Sequence, residues 1–401
     1  MFLKIINFAT YTSLKIGIPL PVWVLERSDE VAFGALSSHK VWNRLDKLEK
    51  DFLEKLTQAK SNTKADLSHA NLDLSSLASD FISLNSDLRN DLASDGLSPN
   101  EILGNKILEN EIFEDKISNG EIFETKQSTC GKQQCLKQLP YTCIGNGYNL
   151  LVSPNAKHLV MLSSGFDYIL VKDTLQNPKD SSEIVEVGGK TSSSSLFRFC
   201  KQHNLGGLEF LRSLPGSVGG LVKMNAGMKQ YEIKDTLLEV CIDGIWRSDF
   251  TLSYRSSDIV GIISAARFRL KKGFDSSLLA QFQAMRSTHP KEPSCGSCFR
   301  NPSGDYAGRL IEAVGLKGVE QNGVGFSSHH ANFLVNFGTK STQASPTKTN
   351  LAQADSTKTN FTKIDFCQAE FADALAMIEL AKKRVKERFG IELVPEVQIV
   401  R

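Results

Sequence analysis

The chain has 401 residues, of which 41% are hydrophobic and 23% charged, and its formal net charge is +2. That length holds two or three domains of roughly 100–200 residues each, and the composition is that of a folded, water-soluble chain. A balance this close to neutral offers no basic face to nucleic acid or an anionic membrane. Any anionic ligand must therefore be held by local loops and single cations.

The first eight residues interrupt their apolar run with Lys4 and Asn7, and no small-residue cleavage site follows, so no signal peptide is read there. No apolar run approaches the roughly 18 residues of a membrane span. Eight cysteines are scattered along the chain, which points to reduced thiols and a cytoplasmic location.

Residues 1–27 read as ordered, with Tyr11 to Gly17 leading into the apolar Val22, Trp23, Val24 and Leu25. Between about 30 and 132 the composition turns rich in Leu, Ser, Asn, Asp and Lys. Apolar spacing predicts an amphipathic helix over 41–56. A ten-residue repeat follows, in which Glu101-Ile102-Leu103, Glu111-Ile112-Phe113 and Glu121-Ile122-Phe123 recur in step. The repeat is too short to build a core from its neighbours, and the stretch is read as a low-complexity insertion.

From 139 to 268 short β-like runs alternate with glycines. Strands are predicted at 141–144, 159–162, 184–187, 240–242 and 260–268, with a helix over 195–203 ended by a turn at 204–207. This alternation predicts an α+β fold. Further helices are expected over 275–290 and 306–314, the latter stopped by Gly315. Residues 340–363 repeat Thr-Lys-Thr-Asn and read as a second low-complexity loop. The last helix places Phe371, Leu375, Ile378, Ala381 and Val385 on one face, with Gly390 as its stop. A strand carrying Glu396 is predicted over 391–400.

Two loops and one late motif carry the chemistry. Gly145-Asn146-Gly147-Tyr148-Asn149-Leu150 follows a predicted strand, and its glycines would let backbone amides approach a pyrophosphate. The third glycine of a dinucleotide fingerprint is missing. Leu214-Pro215-Gly216-Ser217-Val218-Gly219-Gly220 is followed by Asn225-Ala226-Gly227, where Asn225 either meets a ligand or braces the turn. Cys295-Gly296-Ser297-Cys298 has metal-motif spacing but no second ligand pair, so no metal site is predicted and a serine on a glycine turn is the better reading.

With Gly188-Gly189 between them, these loops resemble the flavin-binding domain of the vanillyl-alcohol oxidase group. Gly206-Gly207-Leu208-Glu209, Tyr254-Arg255-Ser256-Ser257, Gly296-Ser297-Cys298-Phe299-Arg300-Asn301-Pro302, Gly315-Leu316-Lys317-Gly318 and His330-Ala331-Asn332-Phe333 are similar to signatures of UDP-N-acetylenolpyruvoylglucosamine reductases. The likeness covers about 1–27, 133–339 and 364–401. It departs at Tyr148, where the family usually has serine, and at Arg300, where lysine is common. The chain lacks the substrate-covering loop of the longer subtype, so the shorter subtype is implied.

The resemblance implies a PCMH-type FAD-binding domain over 1–270 and a smaller α+β substrate domain over 271–401, whose last strand returns to the active site. It implies non-covalent FAD, NADPH as co-substrate and UDP-N-acetylglucosamine enolpyruvate as substrate, acted on by a monomer. The reaction implied is hydride transfer from flavin N5 to the enolpyruvyl methylene carbon. Arg255 and Glu396 would stabilise the carboxylate and Ser297 would protonate the neighbouring carbon. Cofactor contacts are carried to Gly145, Asn146, Gly147, Tyr148, Asn149, Leu150, Gly188, Pro215, Gly216, Ser217, Gly219, Gly220, Asn225 and Gly227. Substrate contacts are carried to Arg300, Asn301, His330 and Asn332. A flavin oxidase of the same cofactor fold and a non-catalytic flavin-fold interaction protein stay open as alternatives.

Overall fold

The computed structural model describes residues 2–26, 42–43, 45–47, 49–50, 141–172, 182–338 and 370–401. The ten-residue repeat, the loop at 340–363 and most of the helix expected over 41–56 lie outside the described residues. The backbone divides into one unit of Met1–Phe2 with Gly34–Pro140 and another of Leu3–Phe33 with Tyr141–Arg401. In the first, helical turns between 42 and 50 bury Trp42 and Leu45. All candidate site residues lie in the second.

Among the described residues, three apolar clusters organise that second unit. One gathers Ile6, Phe8, Val22, Val24, Ile144, Leu159 and Val400. It underlies a sheet ordered Phe2–Asn7, Pro19–Leu25, Leu159–Leu162, Thr142–Cys143, whose central pairing is parallel, with Trp23 opposite Val160. The strand Leu159–Leu162 is buried at all four positions, as an unbroken apolar run in a parallel sheet should be.

The second cluster packs a larger antiparallel sheet against the helices Ser193–Gln202, Val218–Lys223 and Leu278–Ser287. Its long strand Ile263–Lys272 runs beside Ser182–Gly188 on one flank and Leu237–Ile242 on the other. The hairpin Leu237–Ile242 to Ile245–Arg247 turns on Asp243 and Gly244, with φ of 50° and 83°. Asp-Gly is the pairing such a two-residue turn selects, because both positions need positive φ. The helix expected at 195–203 is Ser193–Gln202, capped by Ser192 accepting from Ser195 N. Leu205–Gly206, expected inside a turn, instead pairs with Lys271 and Lys272. The turn is confined to His203 and Asn204, the latter at φ 53°.

The third cluster joins Leu14, Ile16 and Leu151 to residues from 295 to 397. Here an antiparallel sheet ordered Ser294–Ser297, Phe333–Asn336, Val324–Phe326, Glu320–Gln321 packs on the helices Ala307–Ala313 and Phe371–Phe389. The longer helix begins at a capping box of Glu370 and Asp373 and buries Ala374, Met377, Ile378, Ala381 and Val385. It ends where Gly390 turns left-handed at φ 69°, a conformation that a side chain would penalise. The strand expected over 391–400 is regular only at Gln398–Val400, pairing in parallel with Leu150–Val152. Pro395 has no N–H for a ladder and forms a single bridge with Phe299.

Candidate active site

Arg255 occupies the second corner of a two-residue turn between Leu252–Ser253 and Ser256–Ser257. Its φ of 54° is left-handed, which costs a non-glycine residue roughly 1–2 kcal/mol. Two contacts hold it there: Nη2 donates to the Gly227 carbonyl at 2.7 Å, and Nε meets Glu396 Oε1 at 3.3 Å. The Tyr254 ring lies 5.1 Å from the guanidinium carbon. Beneath the turn, fully buried Asn225 donates to Glu232 and to the Ser253 carbonyl and accepts from Lys234 N. Both amide protons and the oxygen of Asn225 are thus engaged within the protein. Of its two possible roles, the structure favours bracing the arginine turn over touching a cofactor.

Ser297 ends the strand Ser294–Ser297, where the register against Phe333–Asn336 slips and Gly296 takes φ 81°. A Cβ at Gly296 would meet open space, so it is the backbone twist at this bulge that calls for glycine. Immediately after Ser297 the chain is clipped to the C-terminal segment. Glu396 N and Val397 N donate to the Cys298 carbonyl at 2.8 and 3.3 Å, and Arg300 N donates to Val394 O at 3.0 Å. Asn332 completes the clip by accepting from Phe299 N at 3.0 Å and donating to Phe299 O at 2.8 Å. A side-chain amide there replaces a neighbouring strand. Asn332 is 4% exposed, and with its amide so engaged it positions the motif rather than presenting to a substrate.

These clips bring Glu396 to Arg255 and to the backbone of Cys298, the residue after Ser297. Its side chain keeps only 16% exposure. Burial pushes its carboxyl up to about 7, against the opposing pull of Arg255 and Arg300. Near neutral pH it therefore exchanges a proton readily, between two cations. Arg300 has a buried Nε with no hydrogen-bond partner, so an acceptor supplied by a ligand would relieve it. The neighbouring thiols are not reactive: burial pushes Cys295 up to about 12 and holds Cys298 well above the ordinary thiol value. Both belong to the third apolar cluster.

The first glycine loop is held by its carbonyls. Tyr11 OH donates to Gly145 O, Ser13 N to Gly147 O at 3.0 Å, Ser13 Oγ to Tyr148 O at 2.9 Å, and Gln398 N to Asn149 O at 3.0 Å. No peptide here is cis, and across a trans peptide the N–H opposes the preceding C=O. The amides of Asn146, Tyr148 and Asn149 therefore point away from Tyr11 and Ser13, as an anion cradle requires. Gly147 has φ 75°, and a Cβ on it would come 2.8 Å from Tyr11 O. At Gly145 a Cβ would come 2.9 Å from Ser217 Oγ, so the two glycine loops meet. The same loop reaches the catalytic candidates, since Asn149 Nδ2 donates to Glu396 O at 3.0 Å.

A sequence profile described as UDP-N-acetylenolpyruvoylglucosamine reductase, C-terminal domain, matches residues 288–354. The chain is 48% identical to a Helicobacter hepaticus protein named UDP-N-acetylenolpyruvoylglucosamine reductase, over 259 residues that cover 64% of this chain and 84% of that one. Namesakes from Helicobacter pylori and Campylobacter jejuni are 43% and 39% identical, across 86% and 88% of their lengths and 64% of this chain. The chain belongs to the UDP-N-acetylenolpyruvoylglucosamine reductase family. A crystal structure of that reductase (MurB) from Thermus caldophilus superposes with a TM-score of 0.54 at 22% identity, covering 100% of both chains, and shares the α+β fold.

Other positions expected from the family resemblance have structural duties. A Cβ on Gly188 would lie 2.0 Å from Phe166 O, and one on Gly227 2.2 Å from Tyr231 O, so tight backbone packing alone requires both glycines. The amides of Val218 and Gly219 donate to Thr191 O and Gly189 O, and Gly216 O accepts from Ser193 N. The second loop thus uses much of its polarity to lock onto the sheet, and Gly219 and Gly220 already belong to the helix Val218–Lys223 that follows it. Leu150 starts the strand that pairs with Gln398. Asn301 accepts from Ala307 N at 3.1 Å, fixing the start of the following helix, and its amide lies 3.5 Å from Tyr254 OH. His330 Nδ1 accepts from Asn332 N at 3.2 Å, and burial holds its pKa below the ordinary value. His289 also packs on the Phe333 ring, at 4.7 Å, and is held down to about 4 chiefly by burial. Sequence reasoning missed Tyr11, Ser13, Tyr254 and His289; only Tyr254, adjoining Arg255, carried a local signal.

Proposed function

We propose that this chain reduces UDP-N-acetylglucosamine enolpyruvate to UDP-N-acetylmuramate, using tightly but non-covalently bound FAD and NADPH. The observation that carries this reading is the convergence of Arg255, Arg300 and Glu396 beside the Ser297 bulge, at the loop whose amides face outward for a pyrophosphate. Asn146, Tyr148 and Asn149 would offer those amides to FAD, and the missing Cβ atoms of Gly145 and Gly147 let the loop lie as it does. When bound there, FAD would accept reducing equivalents from NADPH and supply a hydride for the enolpyruvyl methylene carbon.

The remaining chemistry belongs to the protein. Hydride addition at the methylene carbon drives negative charge onto the adjoining carbon and its carboxylate. Arg255 and Arg300 are placed to receive that carboxylate, and their fixed positive charge stabilises the transition state. Glu396, protonated for part of the time near neutral pH, can donate to the same carboxylate without repelling it. Ser297 then delivers a proton to the carbon, which suits a hydroxyl only because the carbanion-like centre is strongly basic. His330, neutral and with Nδ1 already accepting, would offer Nε2–H to the nucleotide sugar. A cytoplasmic location suits a reaction fed by NADPH and a nucleotide sugar, and the chain is proposed to act as a monomer. Among the described residues no helix is long and apolar enough to cross a membrane.

Anaerobic absorbance of the purified protein tests the reading. NADPH should bleach a flavin spectrum, and UDP-N-acetylglucosamine enolpyruvate should restore it. A protein purified without flavin, or a reduced flavin that this substrate leaves bleached, would refute it.

A further inference from the structure

Held against the first glycine loop is a segment for which the proposed chemistry assigns no task. Residues Phe8–Tyr11 form one helical turn, capped by Asn7 accepting from Ala9 N at 3.0 Å. Buried Thr12 closes it by donating to Phe8 O at 2.8 Å. The chain then reverses through Lys15 at φ 58° and Gly17 at φ 136°. Leu14 and Ile16 anchor the segment in the third apolar cluster, and fully buried Asn336 donates to the carbonyls of Leu14 and Lys15 at 3.3 and 3.2 Å. Asn336 ends the strand whose Phe333 pairs with Ser297. The segment is therefore tied at one edge to the sheet bearing Ser297 and at the other to the glycine loop.

We infer that Tyr11 and Ser13 are positioning residues for the flavin pyrophosphate: their hydroxyls capture the carbonyls of Gly145 and Tyr148 and thereby hold the loop amides turned toward the cofactor. This rests on the proposed use of FAD. A loop containing two glycines samples many conformations when unrestrained, and a peptide that flips presents a carbonyl where the phosphate needs an N–H. Three bonds from Tyr11 and Ser13 oppose that flip at Gly145, Gly147 and Tyr148. Two come from hydroxyls and can be removed singly without disturbing the backbone. Burial pushes the Tyr11 phenol up to about 12, so it remains a donor at any working pH. The arrangement also explains why Gly147 abuts Tyr11 O more closely than a Cβ would allow.

The test uses the full chain loaded with FAD. Flavin release on dilution is followed by its fluorescence, and unfolding separately by far-UV circular dichroism in saturating FAD. Tyr11→Phe and Ser13→Ala should each release flavin about fivefold faster, the scale of one hydrogen bond. The double variant should be about 25-fold faster, while Ser13→Thr, which keeps the hydroxyl, should match the unmodified chain. Unfolding temperatures should fall by no more than about 3 °C, since each substitution removes one hydroxyl and leaves the apolar clusters intact. Unchanged release in both single variants, or equal leakage from Ser13→Thr and Ser13→Ala, would overturn the inference. An unmodified chain that carries no flavin would instead sink the functional reading on which it rests.

Discussion

Ser297 and Glu396 handle protons at different points of the proposed reaction, and each makes a separate forecast. Flavin reduction by NADPH needs no proton on carbon, so Ser297→Ala should leave that half-reaction intact. Reoxidation by the enolpyruvyl substrate should slow at least about 10²-fold, the lower end for loss of a positioned acid. Stopped-flow absorbance separates the two halves. Cys295→Ala and Cys298→Ala should keep both rates, since neither buried thiol ionises near neutral pH. Reoxidation that fails in a cysteine variant but survives in Ser297→Ala would require a thiol mechanism. For Glu396, the fold holds the proton more tightly than the unfolded chain does, with a value raised from 4.5 to about 7. Such a group contributes stability that is fully present below about 4.5 and is lost as pH rises through about 7. Glu396→Gln removes that dependence, so its unfolding temperature should improve relative to the unmodified chain between pH 5 and pH 8. Its reoxidation rate should also lose any decline centred near pH 7. A constant difference in unfolding temperature across that range would mean that Glu396 does not titrate there.

Among the elements, those fixed by local pattern were readable and those fixed by distant backbone were not. The helix Phe371–Phe389 announced itself through its apolar stripe and Gly390, and Leu159–Leu162 through four consecutive apolar residues. The segment before Gln398 looked like strand from its β-branched residues, yet Pro395 and the clip to Cys298 keep it irregular. In the site, Arg255, Ser297 and Glu396 were legible because each lies in a recognisable motif. For Asn225 bracing was one of two readings, whereas Asn332 was legible by resemblance only and as a substrate contact, because the Phe299 backbone it holds lies 33 residues away in sequence. Asn332 yields its own forecast. Asn332→Ala would strand the buried N–H and C=O of Phe299, at a cost of about 1–3 kcal/mol, and would loosen the strand that carries Ser297. Urea unfolding should show that loss, together with slower reoxidation and normal reduction by NADPH. Full stability in the variant would dismiss the clip.

For the whole molecule, the family relatives are matched along 84–88% of their length by 64% of this chain, so about a third of it has no aligned counterpart in them. Arg255, Ser297, Arg300 and Glu396 all lie outside 30–132. Replacing 51–132 with a short Gly/Ser linker, while retaining buried Trp42 and Leu45, should preserve substrate-dependent NADPH oxidation. A folded, flavin-loaded deletion without turnover would assign that stretch to the reaction. One consequence follows from placing Glu396 between Arg255 and Arg300. A substrate carboxylate entering the same field adds a second negative charge, which raises the proton affinity of Glu396. Binding then draws a proton from solution at pH 8, where Glu396 is ionised beforehand, and none at pH 5, where it is already protonated. Calorimetric titrations in buffers of different ionisation enthalpy would register that uptake, and Glu396→Gln should abolish it. The affinity for substrate is thereby coupled to solution pH through a residue that need not itself touch the reacting carbons, so acidification would tighten binding.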